Sequence, residues 1–388
     1  MNDEKPQPHS TETPHPFALI GPYAPYRGGI AHFGETLRGG LEARGHRVTP
    51  VTFSRQYPSF LFPGKTQLAP EAGESEAARL LDTCWPPSWW RTARRVAALR
   101  PRAVLFQYWM PFFAPAYGAV ARLLRRRGIP SLAVVHNAEP HERFPLGRPL
   151  TRFFLRACAG HLALSEAVED DLHTLVPGAP VRRVAHPTYD RFGDAPSQAE
   201  ARAELGLPEE APVLLFFGFV RRYKGLHVLL DAMPQIAEAL PEARLVVAGA
   251  FYDDIAPHRA QIRRHGLSEQ VRLDAGYVAD ADVPRYFAAA DVVVQPYVSA
   301  TQSGVAQIAF HFDKPVITTD VGGLAEIVPH EEAGLVVPPE NPAALAGAVT
   351  RFFKEERAET LAAGVRTQKE AHSWTPLYDA LEELARSA

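Results

Sequence analysis

Residues 213–240 read VLLFFGFVRRYKGLHVLLDAMPQIAEAL, which is a short apolar run, a loop rich in glycine and arginine, and a longer pattern with helical spacing. The run at 213–220 is nearly continuous rather than alternating, and this predicts a strand buried on both faces. Residues 225–240 predict a helix. A buried strand that leads into a helix is the repeating unit of a parallel sheet covered by helices.

The same order of strand and helix extends through both halves of the chain. The strand candidates of the first half are residues 17–23, 48–53, 103–109, 131–136, 161–165 and 181–185, and its helix candidates are 30–44, 89–99, 113–127 and 148–159. The strand candidates of the second half are 213–220, 243–248, 271–273, 291–296, 315–319 and 334–337, and its helix candidates are 225–240, 257–265, 283–289, 304–312, 343–371 and 375–387. We therefore predict an α/β protein of two doubly wound, Rossmann-like domains that face each other across a cleft.

Length and composition agree with two globular domains. The chain has 388 residues, of which 46% are hydrophobic and 22% are charged. Two cysteines, Cys84 and Cys158, are too few for a disulfide framework or a four-cysteine zinc site. The apolar runs fall far short of the roughly 18 residues of a membrane-spanning helix. Residues 1–16 are polar and rich in proline, which predicts a disordered leader rather than a signal peptide, so we expect a cytoplasmic protein.

The charge of the chain is unevenly distributed. The first 190 residues contain 23 Lys and Arg against 16 Asp and Glu, whereas the rest contains 18 against 28, and the net charge is −3. A basic half suggests an anionic partner; the alternative is that arginine-rich helices simply face water. No basic run is interleaved with stacking aromatic residues in a known motif, so we expect no nucleic-acid partner.

The loop after the strand at 213–220 predicts a diphosphate site. Gly218 and Gly225 flank three cations, Arg221, Arg222 and Lys224, where the strand ends and the helix begins. Cations beside backbone N–H groups suit a diphosphate. The alternative is a solvated basic loop.

Three other strand ends carry glycines. Gly28 and Gly29 precede the first helix, where the backbone can approach a ligand and a helix N-terminus attracts anions. Small hydroxyl residues and Gly304 begin the helix at 304–312, which predicts a second anion cradle. The stretch 321–326 contains a glycine pair at another strand end.

His136 lies just beyond a strand end and is a candidate for the cleft. Its neighbours Glu139, His141 and Glu142 give a cluster of metal-ligating residue types. Their spacing fits no helical metal motif, so we predict no metal site. The alternative role for His136 is a buried structural histidine.

Taken together, these motifs resemble those of retaining, family-4-type glycosyltransferases of the GT-B fold. The resemblance covers about residues 17–388 and rests on the Arg-Gly-Gly loop at 27–29, His136, the loop at 218–225 and the stretch PVITTDVGGLAE at 315–326. It implies an acceptor-side domain at 17–188 and a nucleotide-sugar-binding domain at 189–373. It also implies a final helix, 374–388, that crosses back to the first domain.

The resemblance implies a role for each matching position. Arg221 or Arg222, with Lys224, would hold the donor's diphosphate, and the choice of arginine is open because Phe219 stands where the family has its arginine. His136 would lie by the reacting carbon or the hydroxyls of the sugar. The further donor-binding positions are Gly28 and Gly29 at the phosphate or sugar, Gly218 in the diphosphate loop, Tyr277 and Val278 at the base, Thr301, Gln302, Ser303 and Gly304 at the phosphate, and Gln307 at the ribose.

One departure from the family pattern concerns a pair of glutamates that usually contact the donor sugar and the ribose. Ala300 and Ile308 stand at those places, and Thr301 and Gln307 are the nearest polar residues. Gln307 could still hydrogen-bond a ribose. The absence of both carboxylates leaves the identity of the donor sugar open.

The resemblance implies chemistry that needs no dedicated base. In a front-face retaining transfer, an oxygen of the leaving phosphate accepts the acceptor's proton, and the protein positions and stabilises charge. We predict a metal-independent, hexosyltransferase-like enzyme of glycan, polysaccharide or glycolipid synthesis, with a nucleotide-diphosphate sugar as substrate, a glycan or lipid-linked hydroxyl acceptor and no cofactor. The alternatives are another GT-B enzyme, such as a phosphorylase or epimerase, and a non-catalytic nucleotide-binding protein.

An aromatic and basic segment suggests a peripheral contact with the inner face of a membrane. Trp85, Trp89 and Trp90 adjoin the arginines of residues 91–95, and residues 122–127 add four more arginines. Such a face could rest on anionic lipid. The alternative is a helix with buried aromatic residues and a wet basic side.

Overall fold

The computed structural model describes residues 15–26, 28–58, 76–139, 144–188, 192–252, 254–300 and 303–388, without the side chains of residues 370 and 371. Most of the predicted leader therefore lies outside the described residues. The chain divides into two compact units. The first comprises the described residues up to Ala163, Asp170–Arg182 and Tyr378–Ala388, and the second comprises Leu164–Glu169 and Arg183–Leu377.

A parallel sheet of seven strands, counted over the described residues, forms the core of the first unit. Its strands are β1 (Pro16–Ile20), β2 (Arg47–Arg55), β3 (Ala78–Asp82), β4 (Ala103–Tyr108), β5 (Ser131–Val135), β6 (Gly160–Ala163) and β7 (Val181–Arg183). They lie in the order β3-β2-β1-β4-β5-β6-β7. The order reverses between β1 and β4, and a doubly wound sheet opens its ligand crevice at the carboxyl ends of such a pair.

Five helices follow these strands along the described part of the chain. They are α1 (Gly29–Ala43), α2 (Pro86–Ala98), α3 (Ala114–Arg125), α4 (Gly147–Leu155) and α5 (Glu166–Leu175). The sequence pattern missed β3, because this edge strand has one buried residue of five and no continuous apolar run. It also missed α5, in which four acidic residues obscure the apolar spacing.

The second unit has a six-stranded parallel sheet within the residues that the structure describes. Its strands are β8 (Val213–Phe217), β9 (Arg244–Ala248), β10 (Val271–Asp274), β11 (Val292–Gln295), β12 (Val316–Thr319) and β13 (Gly334–Val337). The order β10-β9-β8-β11-β12-β13 reverses between β8 and β11. The prediction of two doubly wound α/β domains is therefore confirmed.

The helices of the second half are α6 (Gln198–Glu204), α7 (Leu226–Ala239), α8 (Ala256–Arg264), α9 (Val283–Ala289), α10 (Gly304–His311), α11 (Leu324–Ile327), α12 (Pro342–Lys354), α13 (Ala358–Ala371) and α14 (Thr375–Ser387). The single helix predicted at 343–371 was wrong. The chain turns at residues 355–357, where Glu356 has a φ of 49°, and this left-handed conformation ends α12 before α13 begins. The structure also adds α6, whose capping box of Ser197 and Glu200 is a helix-start signal.

From Tyr378 onward, α14 packs in the first unit through a cluster of ion pairs. Arg44 binds both Asp379 and Glu382, and the buried His46 ring lies 2.9 Å from the Glu382 carboxylate. Burial opposes ionisation of Glu382, but hydrogen bonds from Arg44 and His46 outweigh it and lower the pKa of this carboxyl. These contacts hold the end of the chain on the first unit.

Candidate functional site

The loop after β8 lies at the point where strand order reverses in the second sheet. Gly218 and Gly225 both have positive φ values, of 100° and 72°. A Cβ at Gly225 would lie 1.7 Å from the carbonyl oxygen of Pro296, just beyond β11. Backbone therefore packs directly on backbone here, and only glycine permits it.

The three cations of this loop have different surroundings. The Arg221 guanidinium lies 4.3 Å from the centre of the Tyr252 ring, whereas Arg222 is exposed. The Lys224 ammonium donates a hydrogen bond of 2.5 Å to the hydroxyl of Tyr297. Burial lowers the pKa of Lys224, and the nearby Arg221 adds to this effect. A fixed cation thus lies at the start of α7.

Tyr297 links the loop to the start of α10. Its side chain is buried, and its hydroxyl oxygen is 3.4 Å from Oγ of Ser303. Ser303 also accepts hydrogen bonds from Nε2 of Gln295 and from the backbone N–H of Ala306, which makes it the N-cap of α10. Burial raises the pKa of Tyr297, so its hydroxyl is neutral at ordinary pH.

Two glutamines near this network have unsatisfied amide groups. Gln307 is fully buried in α10, and neither polar atom of its side chain has a hydrogen-bond partner among the described residues. Oε1 of the buried Gln295 also has no hydrogen-bond partner among the described residues. An unpaired buried amide is unfavourable by about 1–3 kcal/mol. The contact between Gln307 and a ribose stays a prediction.

The positions where the family has glutamates are apolar and packed. Ala300 is buried in a small cluster with Tyr297 and Leu324, and Ile308 is partly buried in α10. Thr301 and Gln302, predicted at the phosphate, lie outside the described residues. The structure places Gly304 at the first position of α10, partly exposed.

Tyr277 and Val278, predicted at the base, follow β10 and are partly exposed. This strand is separated from β8 by β9. Their place on the carboxyl side of the sheet agrees with the crevice rule for doubly wound folds. Their role at a base stays a prediction.

In the first unit, Gly28 has a φ of 118° and occupies the N-cap position of α1. Its carbonyl accepts hydrogen bonds from the N–H groups of Ala31 and His32. Gly29 begins the helix and is exposed, and Arg27 lies outside the described residues. The loop therefore presents backbone at the start of a helix, as a site for an anion would require.

His136 follows β5 and is buried. Its ring meets Phe33 of α1 edge to face at 4.7 Å, and its backbone N–H donates to the carbonyl of Tyr108 at 2.8 Å. Glu139 forms an ion pair with Arg148. His141 and Glu142 lie outside the described residues. The structure thus places His136 at the carboxyl end of the sheet, packed under α1.

Sequence reasoning missed Gln107, which lies at the reversal point of the first sheet. Its side chain is buried near the end of β4, and neither of its amide atoms has a partner with hydrogen-bond geometry within the described residues. A Cβ at Gly21 or Gly34 would lie 2.5 or 2.4 Å from its Nε2 atom. Burial raises the pKa of the neighbouring Tyr23, and the Arg38 charge and then a contact with the Gln107 side chain oppose this rise. The sequence signal that could have revealed Gln107 is a single polar residue within the apolar run at 103–109.

The described residues contain neither a metal-binding cluster nor a membrane-spanning helix. No group of three or more His, Cys, Asp and Glu side chains in this part of the chain could hold a metal ion. The helices in these ranges are each too short or too polar to span a bilayer.

Comparisons with known proteins place the chain in a family. A model described as "Glycosyl transferases group 1" matches residues 211–355, and one described as "Glycosyltransferase Family 4" matches residues 27–188. D-inositol 3-phosphate glycosyltransferase 1 of Catenulispora acidiphila is 32% identical over 69% of this chain and 69% of its own length. The chain belongs to the family-4-type glycosyltransferases. A second relative, D-inositol 3-phosphate glycosyltransferase of Jonesia denitrificans, is 30% identical over 54% of this chain, and the match spans 50% of the length of that relative.

Solved structures confirm the GT-B fold of this glycosyltransferase. Sucrose-phosphate synthase from Thermosynechococcus elongatus superposes with a TM-score of 0.77 at 23% identity, covering 96% of this chain and 98% of that one. Anabaena Alr3699/HepE in complex with UDP-glucose superposes with a TM-score of 0.72 at 16% identity, covering 96% and 100%. At these identities the likeness shows the fold alone.

Proposed function

We propose that this glycosyltransferase moves a sugar from a nucleotide-diphosphate donor to a hydroxyl acceptor with retention of anomeric configuration. The observation that carries the proposal is the Lys224 ammonium, held between Gly218 and Gly225 where the second sheet reverses its strand order. A cation fixed in a partly desolvated loop is suited to the charge that grows on a leaving diphosphate. The Anabaena structure with UDP-glucose supports this class of donor.

The proposed reaction exchanges one bond at the anomeric carbon. The bond to the diphosphate oxygen breaks, the acceptor oxygen bonds from the same face, and the acceptor's proton passes to the leaving phosphate oxygen. Lys224 and an arginine, Arg221 or Arg222, stabilise the diphosphate, so the chain supplies charge and position rather than a base. On this proposal, transfer is unaffected by EDTA. Loss of transfer with EDTA and its return with Mg²⁺ would contradict metal independence.

The test is Lys224→Ala, with Lys354→Ala as the control that removes an exposed lysine from the same unit. The donor is chosen by thermal shift from a panel of UDP-, GDP-, ADP- and dTDP-sugars, because a ligand at 100 times its Kd adds about 2.7 kcal/mol of stability. In Lys224→Ala, turnover, measured as release of nucleoside diphosphate, should fall roughly 30- to 1000-fold. Donor affinity should fall by a smaller factor, because the lost contact is stronger in the transition state than with bound donor. Parent-like turnover would make Lys224 a solvated charge.

A second candidate is a non-catalytic nucleotide-binding protein, which the packed, apolar Ala300 and Ile308 favour. It takes over if the parent binds a nucleoside diphosphate tightly but releases none from any donor. Turnover that needs phosphate and no nucleotide would instead indicate a phosphorylase. The donor panel, extended by an assay with inorganic phosphate and no nucleotide, therefore separates the three candidate functions.

We also propose that the first unit rests on an anionic membrane through the basic helical face, which is formed by α2, α3 and α4. These helices pack side by side, carry seven arginines and contain no Asp or Glu. Trp85 and Trp90 are 46% and 48% exposed, and Arg91 and Arg94 stack on their rings. Exposed tryptophan beside arginine suits the headgroup region of anionic lipid.

Vesicle flotation tests this face. We expect flotation with phosphatidylserine vesicles at low salt and none with phosphatidylcholine vesicles, because each basic residue near the surface adds about 1 kcal/mol. Replacing Arg91, Arg94 and Arg95 by Gln should abolish flotation. The matched control replaces Arg259, Arg263 and Arg264, exposed arginines of α8. Failure of the parent to float would remove the proposal.

A further inference from the structure

Lys224 meets one tyrosine in two ways. Its ammonium donates a 2.5 Å hydrogen bond to the Tyr297 hydroxyl and lies 3.9 Å from the centre of the same ring. The two residues are separated by the whole of β9 and β10 along the chain, so only the tertiary fold brings them together. A hydroxyl acceptor and an electron-rich ring face both attract an ammonium.

Tyr297 is itself held firmly. Its side chain is 2% exposed, and its backbone carbonyl accepts a 2.6 Å hydrogen bond from Oγ1 of Thr319 in the next strand. The N–H of the next residue, Val298, donates to the carbonyl of Tyr223 at 2.7 Å. The tyrosine is therefore a rigid support on the sheet rather than part of the loop.

A lysine in this place needs such a support. Its side chain has four methylene carbons joined by rotatable bonds, so an ammonium without a fixed neighbour would sample many positions. Burial and the nearby Arg221 lower the pKa of Lys224, whereas Tyr223, whose ring centre lies 5.7 Å away, opposes them. A contact that favours the charged form therefore keeps the cation available as well as placed.

We infer that Tyr297 is the positioning residue of the diphosphate loop: its ring and hydroxyl together fix the Lys224 ammonium in place. The catalytic consequence rests on the proposed function, but the contact does not. Tyr297→Phe keeps the ring and removes the acceptor oxygen, and Tyr297→Leu removes both. The effects of the two variants should therefore be graded.

The first experiment needs no ligand. The chain has six lysines, so labelling them with ¹³C at Cε gives a spectrum simple enough to follow each signal with pH. Lys224→Arg identifies the signal of Lys224. Lys314 is the internal reference, because it is a second partly buried lysine of this unit whose ammonium donates to the carbonyl of Ala290 and whose pKa burial also lowers.

We expect Tyr297→Phe to move the Lys224 titration to lower pH, since the lost acceptor had favoured the charged form. Tyr297→Leu should in addition remove the ring-current shift of the Lys224 protons. Lys314 should titrate as in the parent in both variants. An unchanged Lys224 signal in Tyr297→Phe and Tyr297→Leu would overturn the inference, whatever the activity of the protein.

The second experiment measures the consequence for turnover. With the best donor of the panel, Tyr297→Phe should lower kcat about tenfold, the size of one charge-assisted hydrogen bond, and change KM little. Its rate should also fall off at lower pH than the parent's, because Lys224 must be charged. The control is Tyr117→Phe, which removes a buried hydroxyl in the first unit and should leave kcat unchanged.

The two failures can be told apart. If the parent binds none of the nucleoside diphosphates nor inorganic pyrophosphate, the proposed function fails, while the lysine titration still reports on the contact. If the parent turns over and Lys224→Ala is impaired, but Tyr297→Phe and Tyr297→Leu keep the parent's kcat, the positioning role of Tyr297 fails alone.

Discussion

The two sheets reverse their strand order at equivalent places, between β1 and β4 and between β8 and β11, but the loops there are packed by different means. In the second unit backbone lies on backbone, because a Cβ at Gly225 would strike the carbonyl of Pro296 at 1.7 Å. In the first unit the glycines Gly21 and Gly34 lie against a side chain, the amide of Gln107. A backbone contact cannot move without moving the sheet, whereas a side chain can rotate.

The difference fits the two proposed tasks. A diphosphate has one shape and one charge pattern, so a loop locked by its own backbone suits it. The loop after β1 packs against the side-chain amide of Gln107, which can rotate. We therefore expect a change in its shape to require less free energy than a change in the loop after β8. Equivalent positions of the two sheets should thus differ, with a rigid loop in the second unit and an adaptable loop in the first.

The largest expected effect comes from Gly225→Ala. Its φ of 72° disfavours alanine by about 1–2 kcal/mol, and the contact with Pro296 adds a backbone clash. We expect a loss of more than 3 kcal/mol in the stability of the second unit, measured by hydrogen exchange followed by mass spectrometry, together with loss of nucleotide binding, measured by calorimetry.

Gly266→Ala is the matched control, because Gly266 has a φ of 68° and an added Cβ there would meet no described atom within 4 Å. It should show the conformational part alone, about 1–2 kcal/mol. Equal losses for the two variants would mean that the loop yields to the added methyl group, and the comparison between the units would break.

The next effect is that of Gly34→Ala in α1. Alanine should favour a helix by up to about 1 kcal/mol, but its Cβ would lie 2.4 Å from Nε2 of Gln107. We expect a net loss of about 1–2 kcal/mol, relieved when Gln107→Ala is added, so that a double-mutant cycle gives a coupling of at least about 1 kcal/mol.

Gly39→Ala in the same helix supplies the reference, since a Cβ there is exposed and has no described neighbour within 4 Å. It should stabilise the protein slightly. A cycle without coupling would show that Gln107 does not set the space behind the first loop, and the proposed adaptability would be lost.

Much of the fold was predictable from sequence because central strands of a parallel sheet are continuous apolar runs. The central strand β12 was predicted at 315–319 and lies at Val316–Thr319, whereas the edge strand β3, with one buried residue of five, was missed. The break between α12 and α13 was missed because it rests on a left-handed Glu356, a conformation that glycine would have signalled and glutamate does not.

The site was predictable only as far as local spacing reaches. Gly218, Gly225 and the cations between them predict a phosphate loop, because backbone N–H groups at a helix start beside cations suit an anion, and this assignment stays a prediction. Tyr297 could not be found in this way, since its contact with Lys224 joins two distant parts of the chain. Gln107 and Gln295 were each visible as a polar residue in an apolar run, but their surroundings are tertiary.

The smallest expected effect compares these two glutamines directly, by Gln107→Met and Gln295→Met. Methionine has a similar shape without polar atoms. At Gln107 it removes an amide that has no hydrogen-bond partner in the described part of the chain, so the first unit should keep or gain up to about 1 kcal/mol. At Gln295 it removes the hydrogen bond to Ser303, so the second unit should lose about 1 kcal/mol of stability.

Hydrogen exchange followed by mass spectrometry reports the stability of each unit separately, which a single unfolding curve of a two-domain protein does not. The opposite signs are the point of the test: a loss of the same size in both units would show that the Gln107 amide is satisfied in solution, and that the two reversal points are supported alike.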